Sequence, residues 1–598
     1  MRMKSLIVVI TVPGYARIDM TEHNGTRVAG THRWLPGVSL LRTYKRSWLR
    51  YDIVAGLVLT TLLVPQGMAY AGLAGLPPAV GLYTTAAGLL AYALFGPSRI
   101  LVVGPDSTLG PMIFTVIAPL LATNPDPARA IALASTLAVL MGLICLAAGI
   151  AKLGTVAELL SKPVRIGYLN GVAIIIICGQ LPKLFGFATA GGSVPRELWS
   201  FIRGVYHGDA GGPSTAIGLV SVVLIVALRH WFPRLPGVAF VVVGSLVAVV
   251  AFGLTQHGVS VIGEVPAGFP AMSIPNVSLH DLATLVLAAA GLAFVTLADT
   301  APISRSFAMK HGDHVDPNQE MVAIGAANIA AGLFQGFPIS GSASRSVVAE
   351  ANGSRSQVTG VTGAMAIIVL VVTAHGALRN LPNATLGAIL VAAALGLADV
   401  LSLRWLWHVR RTELVLSLTA TIGVALLGPL RGIGVAIALA VIDFLRRAWR
   451  PNSAVLGRIH DVKGYHDVSR HADAVQASGL VLFRFDAPLF FANSDFFAAT
   501  ARRAIDDRAA SIQWFVLAAE PITDVDTTAA EMLTEFLNEL DARGIVMAVA
   551  EMKGQTKDRL HSYGLYDKIG HDRFFPTIGS AMKTYYQLID QPNPADLE

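Results

Sequence analysis

Charge is scarce in this chain. Asp, Glu, Lys and Arg make up 14% of its 598 residues, 54% are hydrophobic, and the mean hydropathy is +0.59. Soluble globular domains carry roughly a quarter charged residues, so composition excludes an ordinary soluble protein and indicates a polytopic membrane protein. Cysteine is scarcer still. Cys145 and Cys178 both lie inside apolar runs, which excludes a disulfide framework or zinc spacing and leaves small buried core residues. No Walker-type phosphate loop occurs, and no acid is paired with a nucleophile in a soluble pocket, so neither ATP hydrolysis nor enzyme activity is expected, nor any metal or cofactor. The net charge of +6 is spread over loops. Positive loops on one membrane face explain it better than a nucleic-acid partner does.

What the chain has is long apolar runs, such as Ala216–Leu228, Phe240–Leu254 and Leu282–Ala298; a bilayer core takes about 20 residues of helix. Fourteen candidate spans begin near Asp52, Ala79, Ile100, Ala128, Pro163, Ser214, Val238, Asp281, Pro317, Ser342, Gln357, Thr385, Glu413 and Ile433. Alternate loops carry the cations: Lys45, Arg46 and Arg50, then Arg99, then Lys152, Lys162 and Arg165, then Arg229 and Arg234, Arg305 and Lys310, Arg355, and Arg404, Arg410 and Arg411. The exit carries Arg446, Arg447 and Arg450, whereas the opposite loops "AGLAGLPPAV" and "TQHGVSVIGEVPAGFPAMSIPNVS" have neither Lys nor Arg. The main exception is the loop with Lys183, Arg196 and Arg203. This asymmetry predicts an even span count with both termini cytoplasmic. The opening "MRMKSLIVVITV" imitates a signal peptide but lacks an Ala-x-Ala-like cleavage site, so processing is not expected; translation from Met20 is an alternative.

After Pro451 the texture changes. "GLVLFRFDAPLFFAN" reads as two strands, "DFFAATARRAIDD" as a helix and "IQWFVLAAE" as a buried strand. "TTAAEMLTEFLNELDARG" reads as an amphipathic helix and "IVMAVAE" as another strand, with two helical stretches to follow. Alternating units of this length predict a small α/β domain. The expected organisation is a cytoplasmic N-terminal segment at 1–50, a membrane domain at 51–450, a linker at 451–477 and a cytoplasmic α/β domain at 478–598.

Two interruptions carry the chemistry. "LVVGPDSTLGPMI" at 101–113 and "FQGFPISGSASRS" at 334–346 each follow extended residues and a Pro with small hydroxylated residues and a resumed helix. They fall at the third and tenth spans, equivalent positions in a seven-plus-seven inverted repeat, and paired interruptions of this kind point to a midplane site in a transporter. A helix that starts at mid-membrane exposes free N–H groups and a positive dipole end, which suits an anion. Asp106, Ser107, Ser342, Ala343, Ser344 and Arg345 are therefore candidate site residues. Asp106 is either a helix cap or a protonatable group beside the anion. Arg345 stands in the first turn of the resumed helix, where the dipole disfavours it and an anion or carboxylate would explain it.

Gln66 and Tyr70 stand four residues apart on one helical face and either wall a cavity or pack helices. Asp299 ends an uncharged apolar run. An ionised carboxylate at that depth costs several kcal/mol unless paired or hydrated, so it is a proton-carrier candidate, unless the helix ends at water there with Asp299 beside Arg305. "DPNQE" at 316–320 reads as a helix start, with Asp316 as cap and Pro317 first in the helix.

"VPQGMAYAGLAGLPPAVGLY", "GPDS", "DPNQE…GFPISGSASRS" and "FRFDAPLFFAN…DVDTTA", in that order, resemble the sulfate permease (SulP) family of anion transporters, over nearly the whole chain after residue 40. The resemblance implies a core domain from spans 1–4 and 8–11, a gate domain from spans 5–7 and 12–14, transport by their relative movement, and a homodimer. Its tail resembles the STAS domain and implies a cytosolic protein partner. By the resemblance, Gln66 and Tyr70 line the anion cavity, Ser344 and Arg345 touch the anion, and Asp299 is the acid tied to cation coupling. Sodium-coupled relatives carry a hydroxyl one turn after that acid, where this chain has Ile303, which favours protons. Asp106 departs from the neutral residue of some animal exchangers and would repel a dianion unless protonated. Thr527 falls where antagonist proteins carry a phosphorylated serine, and is either a regulatory site or, with Asp526, a helix cap. The expected activity is proton-coupled sulfate uptake across a bacterial-type inner membrane. A dicarboxylate or bicarbonate cargo, an uncoupled conductor and a receptor signalling through its STAS domain are the alternatives.

Overall fold

A computed structural model of the chain describes residues 36–37, 44–122, 126–154, 161–189, 193–232, 236–313, 315–460, 462–508 and 511–590. Most of the N-terminal segment, including Met20, and Arg234 among the loop cations lie outside the described residues. The chain divides into two compact units, Met1–Ala436 and Ile437–Glu598.

The first unit is helical. Its elements are α1 Leu49–Leu73, α2 Pro78–Phe95, strand β1 Val102–Gly104, α3 Leu109–Leu121, α4 Pro127–Ile150, α5 Lys162–Leu184, α6 Val194–His207, α7 Gly212–Trp231 and α8 Gly237–Ala251. There follow α9 Leu279–His311, α10 Pro317–Leu333, strand β2 Ser340–Ser342, α11 Ala343–Ala351, α12 Val358–Thr373, α13 Asn383–Leu397, α14 Val400–Val409, α15 Arg411–Leu427 and α16 Pro429–Trp449, which runs on into the second unit. Every expected start lies within four residues of one of these helices or of β1 or β2. Among the described residues, α1, α2, α4, α5, α7, α9 and the α13–α14 stretch are long and apolar enough to cross a bilayer; α3, α8 and α12 are shorter apolar helices. The sequence reading did not anticipate α6 or α14.

Local chemistry fixes several starts. Asp126 and Asp316 cap α4 and α10, their carboxylates accepting from the backbone N–H of Ala128 and Asn318 at 3.0 and 2.8 Å, and Pro127 and Pro317 follow as first helical residues. Small residues then bring helices together. On α1 and α2, Gly67 and Gly81 face each other so closely that a Cβ at Gly81 would lie 1.9 Å from the Gly67 carbonyl oxygen. Outward-facing Val220, Val223, Phe240 and Leu287 are exposed, as a lipid-facing surface requires.

The second unit is an α/β domain. Strands β3 Ser453–Gly457, β4 His466–Asp467, β5 Leu480–Phe485, β6 Trp514–Ala518, β7 Val546–Ala550 and β8 Phe574–Phe575 form one sheet in the order β4-β3-β5-β6-β7-β8. The run from β5 to β8 is parallel, and β3 is antiparallel to β5. The 451–477 stretch is therefore not a plain linker: β3 pairs Ser453 with Phe485 and Val455 with Phe483. The second strand expected within "APLFFAN" is reduced to one bridge, Leu489 to Val525. Helices α17 Ser494–Asp506, α18 Thr527–Ala542, α19 Gly554–Ser562 and α20 Leu565–Ile569 cover one sheet face, and α21 Ile578–Leu588 packs on the other. Strand periodicity divides the core: Val481, Phe483 and Phe485 meet Phe497 and Phe536 on the first face, while Leu480 and Leu482 meet Met582 and Tyr585 on the second.

The α1–α2 contact makes a stability test. Gly81→Ala forces one helix backbone away from the other, an overpacking cost of about 1–3 kcal/mol, and is expected to lower the thermal midpoint of the purified protein. Gly244→Ala, whose added Cβ has nothing within 4 Å, is expected to leave the midpoint near the parent's.

Candidate functional site

The two interruptions meet. β1 and β2 pair antiparallel, Val102 with Ser342, Val103 with Gly341 and Gly104 with Ser340. Beyond them α3 has 13 residues and α11 has 9; at 1.5 Å per residue these span about 20 and 14 Å, against a hydrocarbon core of about 30 Å. Because the pair is antiparallel, α3 leaves one end of the ladder and α11 the other, and both N-termini face back towards it.

Extended backbone inside a membrane domain needs internal partners, and side chains of the flanking helices supply them. The Val102 N–H donates to Ser346 Oγ at 2.8 Å, and Ser346 Oγ donates to the Ser342 carbonyl at 2.7 Å. The Gly341 N–H donates to Thr300 Oγ1 at 3.1 Å, and the Phe337 N–H to Thr84 Oγ1 at 3.2 Å. Asn328 clamps Ile339 from both sides: its Oδ1 accepts from the N–H at 2.8 Å and its Nδ2 donates to the carbonyl at 3.1 Å. Gln357 Nε2 donates to the carbonyls of Ser98 and Leu101 at 2.8 and 2.9 Å, fixing the approach to β1.

Arg345 is 2% exposed, and its Nη1 and Nη2 are both buried without a hydrogen-bond partner. Its guanidinium lies beside β1, where a Cβ on Gly104 would stand 2.9 Å from Nη1; only glycine leaves that room. Tyr70 is buried near Ser107 and feels the charges of both Asp106 and Arg345. Gln66, one turn earlier on α1, keeps part of its surface open. The hydroxyls of Ser342 and Ser344 stand 3.3 Å apart. Ala343 and Ser344 are exposed and Asp106 partly so, although Gly341, Ser342 and Arg345 beside them are buried. A solvent-reachable hollow therefore opens at the two helix N-termini.

Asp106 accepts from the Thr108 hydroxyl at 3.0 Å and from its N–H at 3.4 Å, which holds it against the cap residue of α3, Thr108, and the carboxylate acts electrostatically on Arg345. Asp299 does not end its helix, since α9 continues to His311. Enclosed by the helices but partly solvent-reachable, it lies in electrostatic reach of Asp106 and of Arg165 on α5. In the α/β unit, Thr527 is the exposed first residue of α18. Asp526 is the cap, accepting from Ala529 N–H and Phe491 N–H at 2.8 Å each.

Buried carboxylates that escaped the sequence reading include Asp52 and Glu320. Asp52 accepts from the backbone N–H groups of Arg355 and Ser356 at 2.7 and 3.1 Å and from the hydroxyls of Ser356, Thr359 and Tyr44 at 2.8, 3.0 and 3.1 Å. It thereby ties the start of α1 to the turn between α11 and α12. Glu320 accepts from Tyr92 Oη at 2.7 Å and Ser304 Oγ at 2.5 Å, joining α2, α9 and α10. Its signal was present in "DPNQE": an acid early in an apolar helix with no Lys or Arg three or four residues away.

Paired half-helices set on a two-stranded ladder, in a chain that also carries a separate α/β domain, define a class of polytopic membrane proteins. Comparison with known proteins gives the family. The sulfate permease family profile matches residues 49–420 and the STAS domain profile residues 471–581. The chain is 41% identical to a probable sulfate transporter of Mycobacterium tuberculosis over 92% of this chain and 98% of that one. It is 34% identical to human solute carrier family 26 member 6 over 78% of this chain and 63% of that one. Its fold is similar to that of the murine solute carrier 26 family member A9 anion transporter in the inward-facing state, with a TM-score of 0.85, 22% identity, and 95% and 97% of the two chains covered. The transmembrane domain of the cyanobacterial bicarbonate transporter BicA aligns with a TM-score of 0.56 at 23% identity, over 67% of this chain and 98% of that one. The chain belongs to the sulfate permease family and carries a C-terminal STAS domain.

The clamp on Ile339 is testable. Asn328→Leu leaves a buried N–H and a buried carbonyl unpaired, at about 1–3 kcal/mol each. It is expected to lower the thermal midpoint in detergent well below that of Asn352→Ala, which removes one helix-surface bond.

Proposed function

We propose that the protein is a secondary active transporter that takes up an inorganic anion, sulfate, together with protons. The observation that carries this reading is the buried Arg345 with two unpartnered guanidinium nitrogens beside the paired helix N-termini. An uncompensated buried charge is strongly destabilising, and a planar fork of donors suits an oxyanion. Free N–H groups at the starts of α3 and α11, with the hydroxyls of Ser107, Ser342 and Ser344 and the wall formed by Gln66 and Tyr70, would complete the cradle. The sulfate-transporter names of the mycobacterial relatives support sulfate as cargo.

Coupling follows from charge. Asp106 acts electrostatically on both Arg345 and Asp299, and the two acids oppose a dianion while ionised. Protonating either one lowers that repulsion and so favours anion binding; by linkage, a bound anion favours the proton to the same extent. Asp299, on the continuous α9, is the coupling residue in this reading, and Asp106 shares the charge. Transport would proceed by movement of a core domain, with α1, α3, α9 and α11, against a gate domain with α5 and α13. The loop cations support a bacterial-type inner membrane with both termini in the cytoplasm and the STAS domain facing a cytosolic partner.

Labelled sulfate uptake into proteoliposomes tests the reading. An inward proton gradient is expected to drive accumulation, and Arg345→Gln to abolish it, consistent with a loss of about 2–5 kcal/mol for a buried charge contact. Ligand binding without any uptake would favour the receptor alternative. Asp299→Asn is expected to lose gradient-driven accumulation while keeping some sulfate–sulfate exchange; accumulation equal to the parent's would end the coupling assignment.

A further inference from the structure

The loop with Lys183, Arg196 and Arg203 breaks the charge pattern, and the structure separates its members. Arg196 and Arg203 are exposed on the amphipathic α6. Lys183, in the last turn of α5, instead lines a cavity of about 380 Å³ walled by α1, α5 and α13. The cavity borders Pro78 after the α1–α2 turn and Ser260 between α8 and α9. Both belong to loops without Lys or Arg, on the face opposite the basic loops.

The cavity has mostly apolar walls with a few polar groups set among them. Gln180, one turn before Lys183, is 3% exposed, lines it, and has a buried Oε1 without a hydrogen-bond partner. Ser260 and Asn383, themselves bonded at 3.3 Å, add further polar atoms. Lys183 is exposed and is the cationic lining residue. Glu197 on α6 acts on Lys183 electrostatically, with no ion-pair contact between them among the described residues. The same helix α1 that carries Gln66 and Tyr70 presents Met68 and Gly72 to this cavity; residues two apart on a helix point to opposite faces, so the thickness of α1 separates the two compartments.

We propose that this cavity is an outer capture site for the transported anion, with Lys183 as a positioning residue that concentrates a hydrated oxyanion before it reaches Arg345. The proposal rests on the transport reading. A cleft with one sign of charge and low-dielectric walls focuses the field and raises the local anion concentration. The polar groups are too dispersed to strip the anion's water, so the hold is weak and salt-sensitive. The competing role for Lys183, complementing the C-terminal dipole of α5, affects stability and leaves transport kinetics alone.

Sulfate uptake through the full-length protein in intact cells lacking their own sulfate uptake decides between them. Lys183→Gln is expected to raise KM for external sulfate about 3- to 10-fold with kcat near the parent's, and the difference to shrink in high inert salt. Lys183→Arg is expected to keep the parent's KM. Glu197→Gln, which frees the lysine of its negative neighbour, is expected to lower KM, a direction that damaged folding does not produce. An unchanged KM in Lys183→Gln, or a loss confined to kcat or to thermal midpoint, overturns the capture site and leaves the transport reading standing. Absence of sulfate uptake by the parent protein overturns both.

Discussion

Every peptide group that is not helical inside a bilayer must find a partner within the protein, and the membrane unit is organised around that demand. Two stretches abandon the helix, at residues 102–104 and 340–342, and satisfy part of each other as a short antiparallel ladder. The remainder falls to Thr84, Thr300, Asn328, Ser346 and Gln357, drawn from α2, α9, α10, α11 and the start of α12. Such an arrangement is costly to assemble, since each unsatisfied group would cost several kcal/mol in a dry environment. It yields two helix N-termini aimed at one hollow, which unbroken spans cannot provide.

Charge in that hollow is nearly balanced and incompletely paired. Arg345 is buried without hydrogen-bond partners for its terminal nitrogens, Asp106 is turned to its own Thr108, and Asp299 looks on from α9. A tightly paired arginine would leave no room for an anion, and an arginine with no acids near would hold a dianion too firmly to release. The observed compromise suits a carrier that must bind and let go. Asp52 and Glu320 are of another kind: each is surrounded by neutral donors that join separate helices, and they hold the scaffold in which the hollow sits.

Much of this was legible in the sequence because the bilayer makes exceptions conspicuous. Apolar runs placed the helices, and Gly-Pro and Phe-Pro followed by serines marked both interruptions. What stayed hidden depended on pairing between distant residues. Nothing in "LVVG" or "SGS" announces that Val102 will face Ser342, since three-residue strands carry almost no periodicity. Asn328 and Thr300 read as ordinary polar residues in apolar helices until their partners are known. The stretch before "GLVLFRF" looked like a linker because His, Asp and Gly punctuate it, yet Ser453–Gly457 is held in the sheet by β5 rather than by its own propensity. Amphipathic α6 escaped for a simpler reason, its length being too short for a span and its pattern that of a surface helix.

The central claim is that an oxyanion sits between the starts of α3 and α11 against the Arg345 guanidinium. A crystal structure of the protein grown with selenate, the heavier analogue of sulfate, would locate the anion by its anomalous signal. The selenium peak should lie within hydrogen-bonding reach of Arg345 and the hydroxyls of Ser342 or Ser344. A peak elsewhere, with the guanidinium bonded to a carboxylate and the hollow holding only water, would contradict it.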